Sequence, residues 1–156
     1  MRKSDSNSVR ATHERLPSPG QFLAISVKQP WAALLVAGVK TVEVRTWRTR
    51  KHGPILIHAA KIPDNRPEGW ALITTPTLKE LARLQGGIIG VANLTTCLKY
   101  STPEVFAKAE DAHRNAPDWF REGGLYGFVF QDARPIAYHA CPGRTLFFTV
   151  EGITLL

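Results

Sequence analysis

The feature that most constrains this chain is a change of period at Gly38. Over residues 30–47, PWAALLVAGVKTVEVRTW, Trp31, Leu34 and Leu35 recur at i, i+3 and i+4, the spacing of a buried helical face, and Pro30 suits the first helical position. From Thr41 the period becomes two, with Val42 and Val44 on one face and Thr41, Glu43, Arg45 and Trp47 on the other. A helix of about two turns is not stable alone, so it must pack on a sheet. Glycine supplies the left-handed backbone that takes the chain from helix to strand. With the valines turned to the core, a carboxylate, a guanidinium and an indole stand in a row on the opposite face, about 7 Å between same-side neighbours. Lys40 sits at the corner. An ordinary solvated strand carries similar charges, and a Glu43–Arg45 surface pair alone would contribute under ~1 kcal/mol.

The order of these residues, Gly38, Lys40, Glu43 and Arg45, resembles the signature of the ASCH (activating signal cointegrator homology) domain, a member of the PUA-like superfamily of small β-barrels. The setting matches too: a strand FLAISV before it, a helix opening with Gln29, Pro30 and Trp31, and a strand ending in Ile57, His58 and Ala59 after it. The resemblance covers roughly residues 22–150. It implies an α+β fold, a PUA-like small β-barrel of about five to six strands with peripheral helices, spanning residues 22–156; residues 1–21, without apolar periodicity and with a Pro-Ser-Pro-Gly cluster near their end, read as a flexible tail before it.

Composition is compatible with that reading. A chain of 156 residues with 44% hydrophobic content is long enough for one domain with a real core. Twenty Lys and Arg against thirteen Asp and Glu give a net charge of +7, which favours polyanionic partners. Two cysteines, Cys97 and Cys141, make no disulfide framework and read as reduced thiols. The longest apolar run is far short of the ~20 residues needed to cross a bilayer, and the N-terminus shows no signal-peptide core, so a cytoplasmic location is the expectation.

Further along, residues 48–53 form the densest basic patch and read as a hairpin loop in which Arg48, Arg50 and Lys51 could contact phosphate. His58 reads as a core or cleft histidine rather than a metal ligand, because no second ligand lies at metal-site spacing; no metal and no cofactor are expected. Thr77 and Glu80 suggest a capping box before a helix over residues 78–84. Residues 88–100 alternate as a long strand that bends near Gly90. Thr102 and Pro103 open a helix continuing to about Asn115, with a mainly solvated face. Residues 125–136 read as a strand with a turn at 132–134, and residues 144–153 as the strand that closes the sheet.

The resemblance implies RNA recognition in a cleft beside the signature, with DNA as a second possible partner. Residue types suit this: Lys28, Lys40 and Arg45 can meet phosphate, Trp31 or Trp47 can offer a stacking surface, and Gln29, Glu43 and His58 can read polar base edges. The alternative class is a hydrolase. Some ASCH-like proteins remove the acetyl group of N4-acetylcytidine and others are ribonucleases, which would make a modified nucleoside the ligand. The lysine of those deacetylating relatives matches Lys40, but their nucleophilic threonine falls at Glu43, which cannot form the same acyl-enzyme. Lys40 as base, or Glu43 activating water with Arg45 stabilising charge, would be needed instead. A protein-interaction role is the third reading.

Overall fold

The computed structural model describes residues 20–155; of the tail expected at residues 1–21, residues 1–19 lie outside the described residues, while Gln21 already belongs to the first strand. Among the described residues six strands form one sheet, ordered β2-β5-β4-β3-β1-β6. They are β1 (Gln21–Val27), β2 (Val42–Arg45), β3 (Gly53–Ala59), β4 (Gly87–Tyr100), β5 (Leu125–Ala140) and β6 (Phe147–Glu151). β1 and β3 pair in parallel, and every other pairing is antiparallel. A parallel pair needs a crossover connection. Here that connection runs through α1 (Trp31–Val36) and β2, and it carries the whole signature.

The sheet curls into a half-barrel around α1. All six residues of α1 are buried, and they share one core with Ile25, Ile55, Ile57, Ile89, Leu94 and Phe128 from the strands. A helix apolar on every side belongs in an interior, so α1 is more deeply enclosed than an apolar stripe alone suggests. β4 passes so close to it that a Cβ on Gly90 would lie 2.4 Å from a Val36 methyl and 2.7 Å from the Arg134 carbonyl. The expected bend at Gly90 coincides with an irregularity in the β4–β5 register between Ile88 and Gly90.

Gln29 holds the crossover in place. It is fully buried; its Oε1 accepts from the Ala33 N–H at 3.0 Å, and its Nε2 donates to the Leu81 and Leu84 carbonyls at 2.8 and 2.9 Å. One amide therefore satisfies groups at the start of α1 and at the end of α3 (Pro76–Ala82) that the helices cannot satisfy themselves.

Several local expectations are revised. Residues 48–52 form no hairpin, because β2 pairs with β5 while β3 pairs with β1 and β4. The cap of α3 is Thr75, whose side chain accepts from Leu78 N–H, with Pro76 at the first helical position. The helix expected over residues 103–115 breaks at Ala109 into α4 (Pro103–Lys108) and α5 (Glu110–His113). It is also less solvated than its charges suggest, because His113 is buried and stacks on Phe106 at 4.1 Å. No turn occurs at residues 132–134; β5 continues through Asp132, which adopts a positive φ.

β6 is an edge strand rather than the strand that closes the sheet. Rings span the gap instead. Trp47 meets Phe128 at 4.9 Å and Phe147 of β6 at 5.3 Å, so Trp47 is half-buried packing. Both cysteines are free, and no helix among the described residues is long and apolar enough to cross a membrane.

Replacing Gln29 with Ala would leave the buried Ala33 N–H, the buried Leu81 carbonyl and the partly buried Leu84 carbonyl without their partner. We expect a loss of about 3 kcal/mol in unfolding free energy, measured by urea titration. A loss below about 1 kcal/mol would contradict the linking role.

Candidate functional site

The signature builds a charged support before it builds a surface. Gly38 has φ +75° with open space around its Cα, and the Val39 and Lys40 N–H groups fold back onto the Leu34 carbonyl. That tight exit directs the Lys40 side chain inward. Lys40 is 1% exposed; its Nζ donates to the His113 carbonyl and to Asn115 Oδ1, lies 3.8 Å from Glu43 Oε1, and stands 5.1 Å from the centre of the Trp31 ring. Desolvation lowers its pKa to about 8 against the pull of Glu43, with Arg45 adding to the lowering.

β2 divides its side chains as alternation requires, but the two faces meet different things. Val42 and Val44 pack with Tyr100, Phe106 and Leu125 in a satellite cluster under α4, not in the main core. Glu43 and Arg45 point to the mouth of the half-barrel. Glu43 Oε1 accepts from the Val44 N–H at 3.1 Å, and Oε2 lies 3.3 Å from Arg45 Nη2. The same Nη2 donates to the Ser26 carbonyl at 2.8 Å, while nearly a quarter of the Arg45 side chain stays exposed.

That mouth opens into a cleft of about 1410 Å³. Its walls come from the ends of β1 and β3, from Glu43, Val44 and Arg45 of β2, and from the loop after β5. Ser26 and His58 face each other in the parallel register, and Ser26 Oγ lies 3.0 Å from His58 Nδ1. His58 Nε2 lies 2.8 Å from the Cys141 carbonyl. A carbonyl only accepts, so Nε2 carries the proton in the neutral ring and Nδ1 accepts from the serine hydroxyl. Lys28, Lys61 and Arg144 are exposed at the rim. Asp64 is the rim carboxylate: it takes the Trp31 indole N–H at 2.9 Å and the Arg66 backbone N–H at 3.0 Å. Burial would raise its pKa, but these hydrogen bonds and the charges of Arg66 and Lys28 hold it below the ordinary value.

Of the residues singled out from sequence, Lys28, Trp31, Glu43, Arg45 and His58 line the cleft. Gln29 and Lys40 are interior supports, Trp47 packs across the sheet gap, and Arg48, Arg50 and Lys51 lie on the connection outside the cleft. Lys40 cannot meet phosphate from its enclosed position. Trp31 is 4% exposed, with its edge against Trp119 at 5.6 Å, so it offers no free stacking plane. Sequence reading missed Ser26, Lys61 and Arg144. Ser26 alone had a local signal, since it stands two residues before Lys28 on the strand that enters the signature helix.

A curled mixed sheet with an interior helix and a charged cleft at its mouth defines an α+β PUA-like half-barrel. The ASCH domain model matches residues 25–137, and the chain belongs to that family. Among solved structures, the ASCH protein from Zymomonas mobilis aligns with TM-score 0.58 at 17% identity, covering 83% of this chain and 87% of that one. Two substituted variants of that protein align with TM-scores 0.59 and 0.53, at 17% and 21% identity. They cover 87% and 76% of this chain, and 92% and 74% of theirs. At these identities the likeness carries the fold. No sequence among the curated proteins matches this one.

The lowered Lys40 pKa has a signed consequence. Below pH 8 both native and unfolded chains carry the proton, and the native state bears the full desolvation cost. Between about 8 and 10.5 the unfolded chain binds more protons than the native one, so this group makes stability rise with pH, by on the order of 3 kcal/mol at full extent. The unfolding free energy of wild type minus that of Lys40→Met should therefore climb over that window. A flat difference would show that the buried ammonium is not strained in this way.

Proposed function

We propose that this protein binds single-stranded nucleic acid, RNA in the first place, in the cleft at the mouth of the half-barrel. The observation that carries this reading is the charge arrangement. Lys28, Lys61 and Arg144 ring the hollow, Arg45 stands in its wall, and the two nearby carboxylates, Glu43 and Asp64, already accept hydrogen bonds from the protein. Rim cations would hold phosphates and set register, while the deeper groups contact a base or sugar. Arg45 is the strongest candidate for that deeper contact, because Glu43 and the Ser26 carbonyl fix one edge of its guanidinium and leave part of it exposed. Stacking contributes less here than the aromatic content suggests, since Trp31 and Trp47 are both engaged in packing.

Binding is favoured over hydrolysis with Lys40 as base. The Nζ is hydrogen-bonded to His113 and Asn115 beneath the Trp31 ring, and Lys40 is buried and does not line the cleft. A free modified nucleoside such as N4-acetylcytidine remains the ligand to compare with RNA and DNA.

Fluorescence anisotropy with a short RNA should give an affinity that falls steeply with salt. Replacing Lys28, Lys61 and Arg144 together by Ala should reduce the slope of log K against log salt by about 2, at about 0.7 per single-strand phosphate contact. Arg45→Ala should weaken binding about tenfold at every salt concentration, equivalent to ~1.4 kcal/mol, with the fold retained by circular dichroism. An affinity indifferent to salt and to the triple variant would overturn the reading.

A further inference from the structure

We infer that Ser26 and His58 form a nucleophile–base pair that transfers and hydrolyses carboxylic acyl groups within the cleft. The geometry has the parts such chemistry requires. Ser26 Oγ is 3.0 Å from His58 Nδ1, at hydrogen-bond distance for proton transfer. The other ring nitrogen is 2.8 Å from the Cys141 carbonyl, which fixes the tautomer that leaves Nδ1 as the acceptor. His58 is 1% exposed and sits edge-on to Phe148 at 5.6 Å, so its ring is held in one orientation. Ser26 by contrast is half-buried and lines the cleft.

Two neighbours complete the arrangement. Arg45 donates to the backbone carbonyl of Ser26, which places a permanent cation beside the nucleophile, where it can offset the negative charge that develops on the substrate's acyl oxygen. Gly143 packs against the pair without a side chain. A Cβ there would lie 2.9 Å from Ser26 Oγ and 2.8 Å from His58 Cε1, filling the space above the pair.

The step balances without a co-reactant other than water. Oγ attacks the acyl carbon, a C–O bond forms, and the hydroxyl proton passes to Nδ1. The tetrahedral intermediate collapses with breakage of the acyl bond to the leaving alcohol, whose oxygen takes that proton. Water then attacks the acyl-serine and gives a proton to Nδ1; the Oγ–acyl bond breaks, Oγ recovers the proton, and the carboxylic acid leaves.

The surroundings name a substrate class. Each element that holds the pair also carries a rim cation: Ser26 precedes Lys28, His58 precedes Lys61, and Gly143 precedes Arg144. The favoured substrate is therefore a carboxylic ester whose alcohol part bears phosphate. That preference rests on the basic rim argued for nucleic-acid binding, whereas the reaction itself does not.

The test uses p-nitrophenyl acetate and a fluorophosphonate probe on the full chain, with RNA binding measured in parallel on the same preparation. The expected result is a burst of p-nitrophenol, with acetyl and phosphonyl adducts on the Ser26 peptide by mass spectrometry. Ser26→Ala, which removes one half-buried hydroxyl, should lose both adducts and at least about a hundredfold in rate. His58→Ala should do the same. Should that variant fail to fold, the Ser26 variant and Gly143→Ala, which should slow acylation by crowding Oγ, decide the matter. Adducts on other residues, or an equal rate in Ser26→Ala, overturn the proposal, and a protein that binds RNA but forms no Ser26 adduct overturns it while leaving nucleic-acid binding intact. For the substrate class, 3′-O-acetyl-AMP should show a lower KM than p-nitrophenyl acetate at low salt, with the gap closing as salt rises; equal KM values would refute it.

Discussion

The structure depends on a lysine enclosed in its interior. An isolated buried ammonium is costly enough that a protein retains one only with partners on several sides. Lys40 has three: the carbonyl of His113 at the end of α5, the amide oxygen of Asn115 just beyond it, and the carboxylate of Glu43 on β2. The Trp31 ring covers it from α1. Removing one partner of such a group typically costs 3–5 kcal/mol. The ammonium thus ties the α1–β2 corner to the end of α5, 73 residues further along the chain.

His113 is shaped by the same constraint. Its Nε2 donates to the Phe106 carbonyl and its Nδ1 accepts from the Asn115 N–H, both at close to 2.9 Å. Burial lowers its pKa, the Phe106 carbonyl opposes that, and the Lys40 charge lowers it further. A neutral ring satisfied at both nitrogens leaves its backbone carbonyl pointing at Lys40. The segment that reads from sequence as a charged, solvated helix is therefore half support: Glu110 and Asp111 face solvent, while His113 and Asn115 turn inward.

How much was legible follows from the range of each signal. The period change at Gly38 and the glycine exit are local, and both were readable in a window of about a dozen residues. The strands β1, β3 and β4 were readable from apolar runs for the same reason. What Val42 and Val44 pack against was not readable, because the partners Tyr100, Phe106 and Leu125 arrive from the other half of the chain. The parallel pairing of β1 with β3 escaped for a similar reason: nothing within either strand states that Ser26 faces His58, yet that register creates the cleft floor. Lys40 shows the limit most sharply. A lysine at a corner is ordinarily solvated, and the hydrogen bonds that satisfy this one when buried come from the distant carbonyl of His113 and amide of Asn115.

Those placements change what the signature means. Reading Lys40 and Arg45 as two phosphate contacts treats them as equivalent cations, but the half-barrel separates them by depth. Glu43 lies between, 3.8 Å from the enclosed ammonium and 3.3 Å from the partly exposed guanidinium. With Lys40 compensating Glu43 from below, the carboxylate need not cancel Arg45 from the side, and the support as a whole carries one net positive charge. In a low-dielectric wall that surplus is felt more strongly than on open surface. Of the support's two cations, the guanidinium lines the cleft and the ammonium does not. The buried lysine thus acts on the site at one remove, by fixing and neutralising the carboxylate that orients Arg45.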